Sequence, residues 1–168
     1  MPAVAFKELP DLARVWIFAS DRPLHDTESA ALLAEVDAFL AQWKAHGAPL
    51  RSARDWRDAR FLVIGVDPTA EQASGCSIDV LFRGLQSLER SLGTSLVGGG
   101  RVFYKDAAGA PRMAPRKDVP GLFATGAMSG DTIVFDTSIT NAADFRDRFE
   151  QPAKESWVGK LVATAAGR

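Results

Sequence analysis

One cysteine occurs in the 168 residues. It lies in Ser74-Gly75-Cys76-Ser77-Ile78-Asp79, after an apolar run ending at Asp67 and before an amphipathic run opening near Ile78. A thiol in the first turn of a helix faces unpaired backbone N–H groups and the positive end of the helix dipole, and both favour thiolate. With His46 as base, Cys76 would be the nucleophile of an acyl-transfer or hydrolytic enzyme, the N–H groups around Cys76 to Ile78 stabilising an oxyanion. A single-cysteine redox sensor is a variant of that chemistry. The alternative is a non-catalytic ligand-binding or protein-interaction module, in which the same helix terminus holds a small anion or a partner's carboxylate. Ser74, Gly75, Ser77 and Asp79 are its candidate binding residues, with Arg51 supplying further positive charge.

The elements that must position these residues follow from apolar spacing. Arg14-Val15-Trp16-Ile17-Phe18-Ala19 is a β-branched and aromatic run closed by Ser20-Asp21-Arg22-Pro23, and it predicts a strand. Leu32, Leu33, Val36, Phe39, Leu40 and Trp43 recur at helical spacing and predict a helix from Asp26 or Thr27 to His46, with Gly47 at its C′ position. Leu50 to Trp56 and Phe61 to Val66 predict a hairpin turning at Arg57-Asp58. Ile78, Leu81, Phe82, Leu85, Leu88 and Leu92 mark a second helix ended by Gly93, and Arg101-Val102-Phe103-Tyr104 a further strand.

Strand, helix, strand, strand, helix, strand over residues 14–105 is the order of the split βαβ, a ferredoxin-like α+β unit with both helices on one face of an antiparallel sheet. Residues 106–168 extend it within a single domain. They supply a hairpin at Ala107-Ala108-Gly109, a loop carrying Pro115, Pro120 and Gly121, a strand Thr132 to Phe135, a helix Asn141 to Phe149, and a tail that docks through Trp157. In this topology the end of the first helix and the start of the second share one end of the sheet, which makes His46, Arg51 and Cys76 neighbours. Asp79 would then cap the second helix or orient His46. The open face or edge of such a sheet suits a homodimer.

Structural roles compete with these. Cysteine is among the most often buried residues, and a packing role for Cys76 leads on that ground. His46 suits the negative end of a helix dipole. Ser74 and Ser77 are better helix caps than nucleophiles, and Trp16, Trp43 and Trp56 fill or border the core.

Composition narrows the classes. With 20 basic and 21 acidic residues the net charge is −1, which leaves no field to attract nucleic acid. Lys7, Glu8, Pro10 and Asp11 interrupt any signal-like stretch, and no run reaches the length of a membrane span, so the expected location is the cytoplasm. One cysteine and two histidines, His25 and His46, cannot build a four-ligand Cys/His zinc site, and no metal is expected. No Walker A motif occurs: Gly159-Lys160-Leu161 lacks the preceding glycine and the hydroxyl that follows the lysine. Gly98-Gly99-Gly100 precedes a strand instead of a helix, which is not a dinucleotide fingerprint, and no cofactor is implied.

Ala13-Arg14-Val15-Trp16-Ile17, Trp43-Lys44-Ala45-His46-Gly47-Ala48-Pro49-Leu50, the Ser-Gly-Cys-Ser-Ile-Asp segment with Ala73, and Pro152-Ala153-Lys154-Glu155-Ser156-Trp157 resemble an uncharacterised bacterial family common in Bacteroidetes-type genomes. Its members often carry the label "ABC transporter ATPase". The resemblance spans nearly the whole chain and implies a coherent unit. It carries over no activity or catalytic residue, and the missing nucleotide-binding signatures speak against ATP hydrolysis.

Overall fold

A computed structural model describes residues 4–166. In chain order the elements are β1 (Arg14–Ala19), α1 (Asp26–Gln42), β2 (Lys44–Ala45), β3 (Ala48–Pro49), β4 (Ser52–Arg57), β5 (Phe61–Val66), α2 (Gly75–Leu92), β6 (Arg101–Lys105), β7 (Pro111–Pro115), α3 (Val119–Ala124), β8 (Ile133–Phe135), α4 (Ala142–Arg148), β9 (Glu150–Pro152) and α5 (Trp157–Ala166). The fold is α+β. The chain divides into two compact units, the first running to Val97 and including Ser138–Arg146, the second made of Gly98–Thr137 and the chain from Asp147 onward.

In the first unit β1, β5 and β4 form an antiparallel sheet in the order β1-β5-β4. Pairing runs from Arg14↔Val66 to Ala19↔Phe61 on one side and from Ser52↔Val66 to Arg57↔Phe61 on the other. Strand residues alternate between faces, so Trp16, Phe18, Leu62, Ile64 and Val66 share one. They meet Leu32, Val36 and Leu40 of α1 and Leu81 and Leu85 of α2 in a single core. Leu32, Leu40 and Leu62 expose no surface, and each such burial contributes about 1.5–3 kcal/mol. This much is the predicted split βαβ, with both helices on one face.

The fourth strand of the ferredoxin-like unit is a correction. β6 does not join this sheet; it pairs with β7 and β8 in a separate four-stranded sheet of order β7-β6-β8-β9. The place beside β1 is held by backbone contacts, Ala19 N–H to Leu96 O at 3.2 Å and Val15 N–H to Thr140 O at 2.9 Å, with a bridge from Arg14 to Asn141. That edge of β1 is taken by Leu96 and Thr140, and β6 begins only after Gly98-Gly99-Gly100. The sequence predicts one domain with a core over 14–105; the first compact unit runs to Val97 and takes in Ser138–Arg146.

The second face of the first sheet is also closed. Phe6 and Leu9 lie over Gly65, Phe6 meets Phe145 of α4 edge to face at 5.4 Å, and the Arg57 guanidinium lies 4.4 Å from the Phe145 ring centre. Ala142 N–H to Ala13 O and Ala143 N–H to Asp11 O, both near 3 Å, anchor the start of α4 there. A homodimer argued from an uncovered face loses that support, because the chain covers the face itself.

In the second unit Val102, Val134, Val119, Met128, Ala153 and Val158 form the core, with Trp157 packed against it. The tail expected to dock, counted to Arg168, is described to residue 166 and is helical from Trp157. The predicted loop through Pro120 and Gly121 is instead the short helix α3, with proline in its first turn where its missing N–H costs nothing.

Candidate functional site

The start of α2 is built as its sequence predicts. Ser74 is the N-cap, its Oγ accepting the Ser77 N–H at 3.1 Å, and Ser77 Oγ donates to Ser74 O at 2.8 Å. Gly93 ends the helix with φ 65°, the left-handed conformation glycine adopts without strain. Cys76 sits in the first turn as expected, but its side chain is exposed, so the packing role is corrected. Exposure follows from helix periodicity, since Ser77, Leu81 and Leu85 take the buried stripe.

The end of α1 is not where its pattern predicts. The helix stops at Gln42 because Trp43 turns into an extended conformation (φ −69°, ψ 128°). Its indole then reaches across to donate Nε1–H to Ser77 O at 2.9 Å in a buried contact. The chain that follows is a hairpin, Lys44↔Pro49 and Ala45↔Ala48. Its turn holds His46 at φ 51° and Gly47 at φ 83°, the paired left-handed residues of a two-residue hairpin loop. His46 thus caps no helix, and Gly47 serves a turn instead of a C′ position.

The topology does bring the end of α1 and the start of α2 together, and the Trp43–Ser77 hydrogen bond is the direct contact. The proposed pair is not assembled: among the described residues neither His46 nor Cys76 makes a side-chain hydrogen bond or ion pair. Arg51 is committed elsewhere, its Nη1 2.7 Å from Oδ2 of Asp67, a carboxylate only 3% exposed. The Thr69 hydroxyl at 2.6 Å, the Thr69 N–H at 2.9 Å and Arg51 together hold Asp67 below the usual carboxylate range. The Asp79 carboxylate is exposed and makes no hydrogen bond or ion pair among the described residues; the Asp79 backbone carbonyl accepts from Arg83 Nε at 3.4 Å. Gly75 has open space around it, so no close approach requires glycine there. Among the described residues no group of three His, Cys, Asp or Glu side chains is placed to hold a metal ion, and no helix is long and apolar enough to cross a membrane.

A groove between α1 and α2 is one of several concave features that motif reading missed. One chamber of about 340 Å³ is lined by the apolar Val36 and Phe39 of α1 and Leu81, Leu85 and Leu88 of α2, by the polar Glu35, Gln42 and Ser87, and by Gly84. A second, of about 280 Å³, is lined by Phe39, Gln42, Trp43, Lys44, Ser77 and Val80. Phe39 and Gln42 line both, which makes the two chambers neighbours along one groove. Phe39 and Trp43 supply an aromatic wall, their rings 5.3 Å apart. Two signals in the sequence point here. Val80 is apolar but lies off the buried stripe and is 45% exposed. Gly84 sits in mid-helix, where glycine costs about 1 kcal/mol relative to alanine, yet a Cβ there would meet nothing within 4 Å. Packing does not demand this glycine; its absent side chain leaves the first chamber open.

Comparison with protein-family models, with curated proteins and with solved structures finds no match to this chain.

Proposed function

We propose that this chain is a non-catalytic binding module whose site is the groove between α1 and α2. The observation that carries this is the pair of adjoining, mainly apolar chambers kept open at Gly84, with a volume and lining of the kind small-molecule sites have. A thiol enzyme is the weaker reading, because a general base must lie within hydrogen-bond reach of the proton it takes, and His46 is in a hairpin turn with no bond to Cys76. We place the chain with the bacterial family it resembles, without the nucleotide hydrolysis in that family's label.

The test is a fragment screen by amide chemical-shift mapping. Apolar fragments are expected to move the amides of Phe39, Gln42, Val80 and Leu88, and Gly84→Leu, which fills the first chamber, is expected to abolish the Leu88 shift while the spectrum stays folded. Fragments that perturb only residues outside the groove, or that shift Leu88 equally in Gly84→Leu, would overturn the proposal.

A further inference from the structure

The groove has a charge direction. Lys44 lines the chamber at the Ser77 end, and Glu35 lines the one reaching Leu88. Glu35 stands on α1 and Lys44 on β2, each lining one chamber and not the other. At the Lys44 end two side-chain donors are unspent: neither the Lys44 ammonium nor the Gln42 amide has a hydrogen-bond or ion-pair partner among the described residues. The other polar groups there are occupied, since Ser77 O accepts from Trp43 and Ser77 Oγ donates to Ser74 O. Asp79 is exposed near Val80 but lines neither chamber. Of the other acids on α1, Asp37 is held by a two-point ion pair with Arg54 at 2.7 and 2.8 Å, Glu28 is held by Arg22, and Asp26 lines neither chamber.

Resting on the groove as the binding site, we infer that its ligand class is a free aliphatic carboxylate, with the head group at Lys44 and Gln42 and the tail running past Phe39 toward Leu85 and Leu88. Each part has a physical cause. Apolar walls take methylene groups at about 0.8 kcal/mol per group buried. An ammonium and an amide N–H at the rim offer charge-assisted hydrogen bonds to a carboxylate. Glu35 at the far end disfavours the reversed orientation by like-charge repulsion. From Ser77 to Leu88 is eleven residues of helix, about 16 Å, a span for a medium-length chain.

The experiment compares three probes of equal tail length by titration calorimetry: decanoate, 1-decanol and decyltrimethylammonium, each against the parent protein and Lys44→Gln. Decanoate is expected to bind at least tenfold tighter than decanol, and the cation more weakly than either. Lys44→Gln is expected to remove the preference for decanoate while leaving decanol affinity unchanged. Raising the salt from about 50 to 500 mM should weaken decanoate alone. Equal affinity for the three probes, or a preference that survives in Lys44→Gln, overturns the carboxylate assignment and leaves the groove standing. If none of the three binds, the groove itself falls, and this inference with it.

Discussion

Gly65 is the residue through which the closed second face of the first sheet can be tested. A Cβ added there would fall well inside van der Waals contact with Leu9 Cδ1, and 3.2 Å from Phe6 Cε2. Leu9 is 3% exposed, so it has no free space to retreat into. Forcing an extra methyl group into such a contact costs about 1–3 kcal/mol, and the alanine regains about 0.4–1 kcal/mol by restricting the unfolded chain. Gly65→Ala is therefore expected to destabilise by up to about 2.5 kcal/mol, lowering the urea midpoint with the slope unchanged. Leu9→Ala alone removes a buried side chain and should cost about 2–5 kcal/mol. In the double variant the new methyl group occupies part of the space that Leu9 vacated. The double variant should thus be less destabilised than the sum by about 1–2 kcal/mol, a coupling a double-mutant cycle measures directly. Additivity of the two substitutions within about 0.5 kcal/mol would refute the close approach of Leu9 and with it the covered face.

Three further outcomes are expected. Cys76, being exposed and unbonded to His46, should alkylate completely in the native protein, at a rate that His46→Ala leaves unchanged; a slower rate in that variant would restore the Cys–His pair. The Arg22 guanidinium first, and then the His25 N–H, hold Glu28 down to about 2. A lowered carboxylate gives stability that is present above its ordinary value near 4.5 and is lost as pH falls toward 2. Arg22→Ala should therefore lower stability at neutral pH, and its deficit should close between about pH 4.5 and 2 while the Glu28 NMR titration moves up; an unmoved titration rules this out. Gly159→Ala in α5 would place its Cβ 2.7 Å from Ala153 O and 3.1 Å from Lys154 Cα. Backbone cannot yield as a side-chain tip does, so this variant should be less stable in urea, and a gain matching alanine's usual advantage of about 1 kcal/mol in a helix would contradict it.

What the sequence determined by itself was local. β1 and β5 follow from their β-branched and aromatic runs, and α2 from its apolar stripe, the Ser74 cap and Gly93, since each depends on residues within a few positions of one another. The β4–β5 hairpin and the shared end of α1 and α2 also follow, the second because a short topology leaves one place for each. The Walker motif's absence needs no fold at all. Tertiary structure decided whatever rests on contacts distant in sequence. α1 ends at Gln42 because the Trp43 indole bonds Ser77, 34 positions away, and that contact moves His46 from a helix end to a turn. The sheet's second face is covered by Phe145, which returns from far along the chain to meet Phe6. β6 pairs with β7 and β8 instead of β1, which the sequence pattern does not reveal because strand alternation specifies a face but not a partner. Exposure of Cys76 was legible in part, as the stripe already assigned the buried positions to its neighbours. The groove was not, because a concavity belongs to two helices at once: Gly84, Val80 and Lys44 carry its signals, yet only the packing of α1 against α2 gives them a common surface.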